Sequence, residues 1–113
     1  MRQTLRKYEI IRKRKEIENL LKKGNRIQTE NLILRFLPAG QKRVAFLVAK
    51  EIKTAVMRNL IRRRLKEIYR RNKETFTEGY EYIIQARPNA INKNYWQLQE
   101  ELLSLAKGVA TNA

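Results

Sequence analysis

The chain has 113 residues and carries 26 Lys and Arg against 11 Asp and Glu, for a formal net charge of +15 and a pI near 10.6. This balance favours polyanions as partners, and the length suits one domain with a modest core. With no cysteine and no histidine, disulfides, Cys or His metal sites and His-based acid–base catalysis are excluded. No apolar run reaches the length of a membrane span and no signal-peptide core follows the N-terminus, so we predict a cytoplasmic protein.

The sequence of the first 24 residues predicts a loosely packed N-terminal segment followed by a basic helix. We expect residues 1–9 to be frayed or loosely packed, with Leu5 and Tyr8 as candidates to dock. A helix is predicted from about Arg12 to Lys23, and Gly24 is well placed as the residue that follows its end.

Three segments have the alternation or the apolar content of β-strands. Gln28–Leu37 alternates and ends at Pro38, whereas Arg43–Ala49 is mostly apolar and is predicted to lie centrally in a sheet. Tyr80–Ala86 is the third predicted strand. A turn signal at residues 38–41 predicts that the first two strands pair as an antiparallel hairpin.

Two further helices complete the order α-β-β-α-β-α in a single domain over residues 1–113. The fold class is α+β, a small mixed or antiparallel sheet packed with helices. The central helix spans Thr54–Lys73 with Thr54 as its N-cap. The last helix begins at Asn92 or Asn94 and ends near Lys107, which leaves residues 108–113 as a tail. The strands before and after the central helix are candidates for a parallel pair, whose crossover is right-handed by default.

The positive charge is concentrated in two regions. Residues 50–73 hold ten basic and two acidic side chains, and residues 1–23 hold nine and three. After residue 73 the balance reverses, with three basic and five acidic side chains. We therefore predict that the binding surface comes from the N-terminal region and the central helix, and that the last third is scaffold.

The central helix divides into an apolar and a cationic side on a helical wheel. Its predicted apolar stripe consists of Met57, Ile61, Leu65 and Ile68. The side predicted to be cationic consists of Arg58, Arg62, Arg63, Lys66, Arg70 and Lys73. Glu67 is the only acid in this helix, so the Glu–Lys pairing typical of a merely solvated face is almost missing. This pattern indicates nucleic-acid binding.

The residue inventory contains no catalytic constellation. Ser104 is the only serine and has no histidine to activate it. The acidic pairs at residues 16 and 18 and at residues 100 and 101 are typical of solvated charge, and no phosphate-binding glycine loop occurs. We predict that the protein alone cleaves nothing, that it binds no metal by itself, and that a partner supplies any chemistry.

The segment from Lys50 to Arg71, KEIKTAVMRNLIRRRLKEIYRR, resembles the signature segment of the bacterial ribonuclease P protein component. In that family a Lys-containing loop leads into A-V-x-R-N-R-I-[KR]-R-x-[LI]-[RK]-E. The positions that match in register are Ala55, Val56, Arg58, Asn59, Ile61, Arg62, Arg63, Lys66 and Glu67. The other predicted elements come in the family's order and spacing, so the resemblance covers about residues 10–107.

The resemblance implies the protein subunit of an endonuclease that removes the 5′ leader from precursor tRNA. Its implied partners are the catalytic RNA subunit of ribonuclease P and precursor tRNA. That RNA would be the catalyst and would use Mg²⁺, with no cofactor bound by the protein alone. The family also implies a left-handed βαβ crossover, as in the second domain of a small-subunit ribosomal protein, in place of the right-handed default.

The resemblance also places two kinds of binding residue. The candidate RNA-binding residues are Lys50, Lys53, Arg58, Asn59, Arg62, Arg63, Lys66, Arg70, Arg12 and Lys13. A cleft between the sheet and the first helix would hold the single-stranded leader. The candidate cleft residues are Ile17, Leu21, Arg35, Phe36, Ala45 and Leu47. Which of Arg35 and Phe36 faces the cleft depends on a one-residue register.

The chain departs from the family pattern in the motif and in the cleft. Leu60 stands where the motif's second arginine is usual, Glu51 where a basic residue is common, and Lys53 where a glycine is common. Ile17 and Leu21 occupy cleft positions that are usually aromatic. The predicted cleft is therefore more aliphatic than the family pattern.

Two other functions stay open. One is a ribosomal or RNA-chaperone protein that binds structured RNA without taking part in cleavage. The other is a DNA-binding module that uses the central helix in a major groove, although no compact helix–turn–helix partner precedes that helix. The sequence leaves open the affinity, the leader sequence preference and the oligomeric state.

Overall fold

The computed structural model describes residues 4–112, with side chains described for residues 4–109, and its elements follow the order α-β-β-β-α-β-α. The elements are α1 (Arg14–Lys23), β1 (Asn25–Gln28), β2 (Leu32–Pro38), β3 (Arg43–Val48), α2 (Ala55–Arg71), β4 (Tyr80–Ala86) and α3 (Tyr95–Asn112). Short 3-10 turns span Lys7–Glu9, Lys73–Thr75 and Pro88–Asn92. The predicted α+β class is confirmed, and β1 is an additional strand.

The four strands form one mixed sheet in the order β1-β2-β4-β3. β2 runs antiparallel to both β1 and β4, and β3 runs parallel to β4. The predicted parallel pair around the central helix is thus confirmed, while the predicted β2–β3 hairpin is wrong. β4 pairs with β2 along its whole length, from Leu32–Ala86 to Pro38–Tyr80, and so separates β2 from β3. The hand of the crossover stays a prediction.

β3 is an edge strand, although its apolar sequence predicted a central position. Its outer edge is covered by the segment before α1, where the N–H of Ile11 donates to the carbonyl of Val44 at 2.9 Å and Ile10 forms a parallel bridge to the same residue. Ile11 is itself buried. An edge shielded in this way tolerates the apolar composition of an interior strand.

β1 was not predicted because its side chains carry no apolar alternation. Three of its four residues are exposed, and its pairing with residues 33–36 comes from a tight turn. In that turn the N–H of Thr29 donates to the carbonyl of Leu32 at 2.8 Å, and the N–H of Leu32 donates back to the Thr29 hydroxyl at 3.1 Å. The predicted single strand from Gln28 is therefore two strands of a hairpin.

Gly24 ends α1 for a steric reason, not through a left-handed conformation. Its backbone is extended, with φ −68° and ψ 149°, which any residue can adopt. A Cβ at this position would lie only 2.5 Å from the carbonyl oxygen of Leu20. A side chain here would force α1 away from the strand that follows it.

The sheet is covered on both faces. Residues with even numbers on β2, β3 and β4 point toward α2 and α3, and the main core there includes Leu34, Phe36, Phe46, Tyr82, Ile84, Ile61, Leu65, Ile68 and Leu102. Tyr69 of α2, absent from the predicted stripe, is fully buried and packs between the rings of Phe46 and Phe76. On the opposite face, Leu20 of α1 packs with Ile11, Ala45 and Ile83.

α3 begins at a reciprocal cap and runs further than predicted. The N–H of Gln97 donates to the Asn94 side chain at 2.9 Å, and the Gln97 side chain accepts from the N–H of Asn94 at 3.0 Å. Of the two predicted caps, Asn94 is therefore correct. The helix passes Gly108 and continues to Asn112, because the fully buried Val109 holds it on the core. The predicted tail is thus wrong for residues 108–112. Trp96, near the start of α3, is 67 % exposed.

The segment from Thr4 to Ile10 is held down, whereas a frayed start was predicted. Leu5 packs against the main core, and the ammonium of Lys73 lies 2.9 Å from the carboxylate of Glu9. Tyr8 stays 63 % exposed. Residues 1–3 and 113 lie outside the described part of the chain. Across residues 4–112, no helix combines the length and the apolar character that crossing a bilayer requires.

Candidate nucleic-acid interface

The start of α2 is fixed by a capped turn. The Thr54 hydroxyl accepts the N–H of Met57 at 3.2 Å, which confirms the predicted N-cap. The N–H of Ile52 donates to the carbonyl of Ala49 at 3.2 Å, and the Ile52 side chain is buried in the main core. Lys50 and Lys53 on either side of Ile52 are exposed. The turn therefore displays two cations beside the N-terminus of α2, where the helix dipole adds partial positive charge.

One side of α2 carries cations toward solvent. This cationic face consists of Asn59, Arg62, Arg63 and Lys66. Arg63 and Lys66 are exposed, and within residues 4–109 neither takes part in an ion pair. Arg62 is half-buried and its Nη1 donates to Oδ1 of Asn59 at 2.8 Å. Four predicted RNA-binding residues thus share one continuous surface.

Arg58 does not belong to the cationic face, contrary to the prediction from the helical wheel. It lies three residues before Ile61 and seven before Leu65, so it projects from the side of α2 that packs on the sheet. Its half-buried guanidinium donates through Nη1 to the carbonyl of Ile52 at 2.5 Å. The side chain folds back over the turn before the helix.

Arg70 is bound to a carboxylate. Glu67 accepts two hydrogen bonds from Arg70, at 2.5 and 3.0 Å, and one from Arg71 at 2.8 Å. The hydrogen bonds from Arg70 make the largest contribution to lowering the pKa of Glu67. The hydrogen bond from Arg71 and the positive charges of both arginines lower it further, to about 2. Glu67 is therefore ionised near neutral pH and offsets part of the positive charge at the end of α2.

A cleft opens where the segment before α1, the edge of β3 and α2 meet. Its volume is about 210 Å³. Its lining residues are Ile10, Ile11, Arg12, Ile17, Ala45, Phe46, Leu47, Arg62 and Lys66. Ile17, Ala45 and Leu47, all predicted as cleft residues, provide aliphatic surface. Three predicted RNA-binding cations, Arg12, Arg62 and Lys66, line the same space, so the cleft joins the N-terminal region to the cationic face.

Two of the predicted cleft residues, Phe36 and Leu21, lie outside the cleft. Phe36 is buried in the main core and meets Tyr80 edge to face at 5.8 Å, so that prediction is wrong. Leu21 is 39 % exposed and lines a shallow depression of α1 with Lys15 and Lys22.

Arg35 has the register that the cleft requires but does not line it. It pairs opposite Ile83 on the α1 side of the sheet, and its Nη1 donates to Oε1 of Gln85 at 2.5 Å. Burial and the neighbouring Arg26 lower the pKa of Arg35. Lys13, the remaining candidate, is exposed at the N-cap of α1.

An ion-pair network that the sequence did not predict holds α1 on the sheet. The guanidinium of Arg43 on β3 lies 2.5 Å from the carboxylate of Glu16 on α1 and also pairs with Glu81 on β4. The hydrogen bond from Arg43 lowers the pKa of Glu16. These residues stand 27 and 38 positions apart, so no local pattern signals them. The network ties α1 to β3 and β4.

These surfaces suit a strand with a charged backbone. Cations line an aliphatic cleft and continue over an exposed helix face, which fits phosphates and the bases between them. Among the described residues, no group of three or more Asp and Glu side chains could hold a metal ion. The fold and its surfaces define a small, basic α+β protein of the RNA-binding class.

Comparisons with known proteins identify the family. A family model described as Ribonuclease P matches residues 5–110, and the chain belongs to the bacterial ribonuclease P protein component family. It is therefore the protein subunit of ribonuclease P, an endoribonuclease. The family predicted from the motif is confirmed.

Relatives and solved structures support the same assignment over most of the chain. The ribonuclease P protein component of Pelotomaculum thermopropionicum is 32 % identical over 106 residues, which cover 92 % of this chain and 95 % of the relative. That of Petrotoga mobilis is 33 % identical over 112 residues, with 93 % and 94 % covered. The solved structure of the RNase P protein from Thermotoga maritima matches with a TM-score of 0.80 at 28 % identity, covering 88 % of this chain and 96 % of that one.

Proposed function

We propose that this subunit binds the RNA of ribonuclease P through the cationic face and the turn before α2, and that the cleft receives the 5′ leader of precursor tRNA. The observation that carries the proposal is the cleft itself. It brings Arg12 from the N-terminal region together with Arg62 and Lys66 from α2 above an aliphatic floor. A single strand laid there would place phosphates against the cations and base faces against the floor.

The mostly aliphatic lining of the cleft limits how far it can recognise the base sequence of a bound strand. Ile17 and Leu47 offer apolar surface without a ring. Phe46, the one aromatic residue of the lining, is only 9 % exposed and leaves little of its ring for a base to stack on. Sequence-specific recognition of single-stranded RNA depends on stacking and on hydrogen bonds to base edges. We expect the leader to be held mainly by its phosphates, with little preference for its sequence and with strong salt dependence.

The chemistry of cleavage belongs to the RNA in this proposal. The protein has no histidine or cysteine, and within residues 4–109 it offers no cluster of carboxylates for a metal ion. Its contribution is to neutralise phosphates on both RNAs, which lowers the Mg²⁺ concentration that 5′ maturation requires. Mg²⁺ would act through the RNA partner.

The test compares precursor tRNAs with long and short leaders in an enzyme reconstituted with a bacterial ribonuclease P RNA. The cleft variant Arg12→Met with Lys66→Met is matched by Lys15→Met with Lys22→Met. The second pair removes the same charge from the exposed depression of α1. We expect wild type and the α1 variant to bind the long-leader precursor more tightly, and the cleft variant to lose most of that difference. Equal losses in both variants would rule out leader binding in the cleft.

Membership of the ribonuclease P protein family rules out the alternative function of a ribosomal or RNA-chaperone protein, and the same reconstitution tests the proposed role in maturation. A subunit without that role would bind the RNA with a steep salt dependence and leave 5′ maturation at low Mg²⁺ unchanged. The proposed function requires that wild-type protein stimulates maturation at low Mg²⁺ relative to the reaction without protein.

A further inference from the structure

Arg58 connects the first turns of α2 to the turn that precedes the helix. Its Nη1 donates to the carbonyl of Ile52 at 2.5 Å, across six residues of chain. Ile52 is buried, and its carbonyl belongs to the turn before the helix N-cap. A charged donor strengthens such a hydrogen bond. The side chain of Arg58 therefore joins α2 to the turn by a hydrogen bond.

The position of this arginine is otherwise unfavourable. Arg58 is the fourth residue of α2, close to the end where the helix dipole repels cations. It is also half-buried on the side of the sheet, away from the exposed Arg63 and Lys66. The contact with the Ile52 carbonyl offsets both costs, because it places a negative partial charge beside the guanidinium.

The turn that Arg58 contacts carries two of the candidate RNA-binding residues. Lys53 follows Ile52 directly and Lys50 precedes it by two positions, and both are exposed. Within residues 4–109 neither lysine has an ion-pair partner that would fix its place. The backbone of the turn is therefore what sets where these two charges stand relative to the cationic face.

We infer that Arg58 is a positioning residue, which holds Lys50 and Lys53 in place for RNA and does not itself neutralise a phosphate. This inference rests on the proposed function, because it assumes that the turn binds RNA. It assigns the first arginine of the signature segment a role through its neighbours. Direct binding by Arg58 makes a different prediction, since its loss would then add to the loss of the two lysines.

The experiment is a mutant cycle measured as affinity for a bacterial ribonuclease P RNA against salt concentration. The proteins are wild type, Arg58→Met, Lys50→Met with Lys53→Met, and the triple variant. The matched control adds Arg63→Met to the two lysine changes, because it removes one exposed charge of the cationic face. Each phosphate contact that is lost should lower the slope of log affinity against log salt by about 0.7–0.9.

We expect Arg58→Met alone to weaken binding severalfold, and to change affinity by less than about twofold once both lysines are gone. In that background the Arg63 control should still lose close to one slope unit. Amide hydrogen exchange in the free protein gives a second reading. The N–H of Ile52, which donates to the carbonyl of Ala49, should exchange at least about tenfold faster in Arg58→Met, while residues 80–86 of β4 keep their protection.

Each result is decisive. If the triple variant loses as much slope as the Arg63 control, Arg58 contacts a phosphate and the positioning role is overturned. Unchanged exchange of the Ile52 N–H overturns it as well. Wild type that binds the RNA without salt dependence would instead overturn the proposed function, and the exchange experiment would still show whether Arg58 orders the turn.

Discussion

Asn59 accepts a 2.8 Å hydrogen bond from the guanidinium of Arg62, its neighbour three residues further along α2. Arg62 lines the cleft while Asn59 is exposed at its side. The amide thus restrains one of the three cations that line the cleft. This contact gives the asparagine of the signature segment a physical role, because a restrained arginine loses less side-chain entropy when it meets a phosphate.

The first prediction concerns this contact. Asn59→Ala should leave the free energy of unfolding unchanged or raise it slightly, because alanine has the higher helix propensity and the site is exposed. Affinity for a long-leader precursor should fall by roughly two- to fivefold through the freed Arg62, an effect of about 0.5–1 kcal/mol. Urea unfolding and binding titrations measure the two quantities. Asn19→Ala on α1 is the matched exposed control, and an equal loss of affinity there would show that Arg62 gains nothing from Asn59.

The second prediction concerns the cationic face as a whole. Replacing Arg62, Arg63 and Lys66 together with alanine should flatten the dependence of log affinity on log salt by roughly two units, since each phosphate contact contributes about 0.7–0.9. Lys15, Lys22 and Lys23 of α1 provide a triple replacement with the same loss of charge. If the α1 triple flattens the slope as much as the α2 triple, the RNA does not distinguish the two surfaces.

Sequence periodicity predicted those parts of the fold that a buried face imposes. β4 and the start of β3 were predicted at their observed residues, because their side chains face the core on a regular period. β1 has three exposed side chains out of four and left no such signal. Periodicity also did not predict the strand order, because β2 pairs with β4 and not with β3, the strand that follows it in sequence.

The site was predictable as a set of charges but not as a geometry. The matching motif located α2 and its cations, and Arg12 of the N-terminal region lines the same cleft as Arg62 and Lys66. Arg58 was wrongly assigned to the cationic side, because its spacing of three and seven residues from the buried Ile61 and Leu65 places it on the packed side of α2. Phe36 needed a strand register that only the pairing with β4 supplies. The Arg43 network joins residues too distant in sequence for any local signal.

The third prediction uses two buried tyrosines as a matched pair. The hydroxyl of Tyr69 is buried without a hydrogen-bond partner among the described residues, whereas that of Tyr82 donates to the carbonyl of Thr77 at 2.6 Å. Tyr69→Phe should therefore stabilise the fold or leave it unchanged, and Tyr82→Phe should cost about 1 kcal/mol. Thermal melts of both variants measure the difference. A larger loss for Tyr69→Phe would reveal a partner for its hydroxyl.

The fourth prediction follows from the pKa of Glu67, which the hydrogen bonds from Arg70 and Arg71 lower from 4.5 to about 2. A depressed pKa in the folded state means that the contribution of Glu67 is full above its unfolded value and is lost as the pH falls toward 2. Glu67→Gln should therefore be less stable than wild type near neutral pH, and the two should converge at about pH 2. The variant should also bind RNA more tightly at low salt, because it removes one negative charge from α2.

Urea unfolding of wild type and Glu67→Gln across this pH range checks the stability part. Glu18→Gln is a suitable reference, since Glu18 pairs with the exposed Arg14 on α1 and such surface pairs contribute little. A stability difference between wild type and Glu67→Gln that persisted at about pH 2 would have to come from something other than the ionised carboxylate.

The last prediction concerns Leu60, which stands where the family's motif has its second arginine. Leu60 is half-buried and belongs to neither hydrophobic cluster of the described residues. One turn before it Val56 is 77 % exposed, and one turn after it Arg64 donates to the carbonyl of Lys93 at 3.2 Å. Leu60→Arg should therefore cost under about 1 kcal/mol of stability, because the stem of the new side chain can lie along the helix while its head reaches water.

The added cation should strengthen binding to the ribonuclease P RNA and steepen the salt slope by up to about one phosphate contact. Leu60→Gln is the matched control for the loss of leucine without a gain of charge. Paired thermal melts and RNA titrations at equal salt measure both effects. A large loss of stability in both variants would make Leu60 a true core residue. If Leu60→Arg is stable but binds no better than Leu60→Gln, this flank of α2 faces away from the RNA, and the interface is confined to the cleft, the turn and the cationic face.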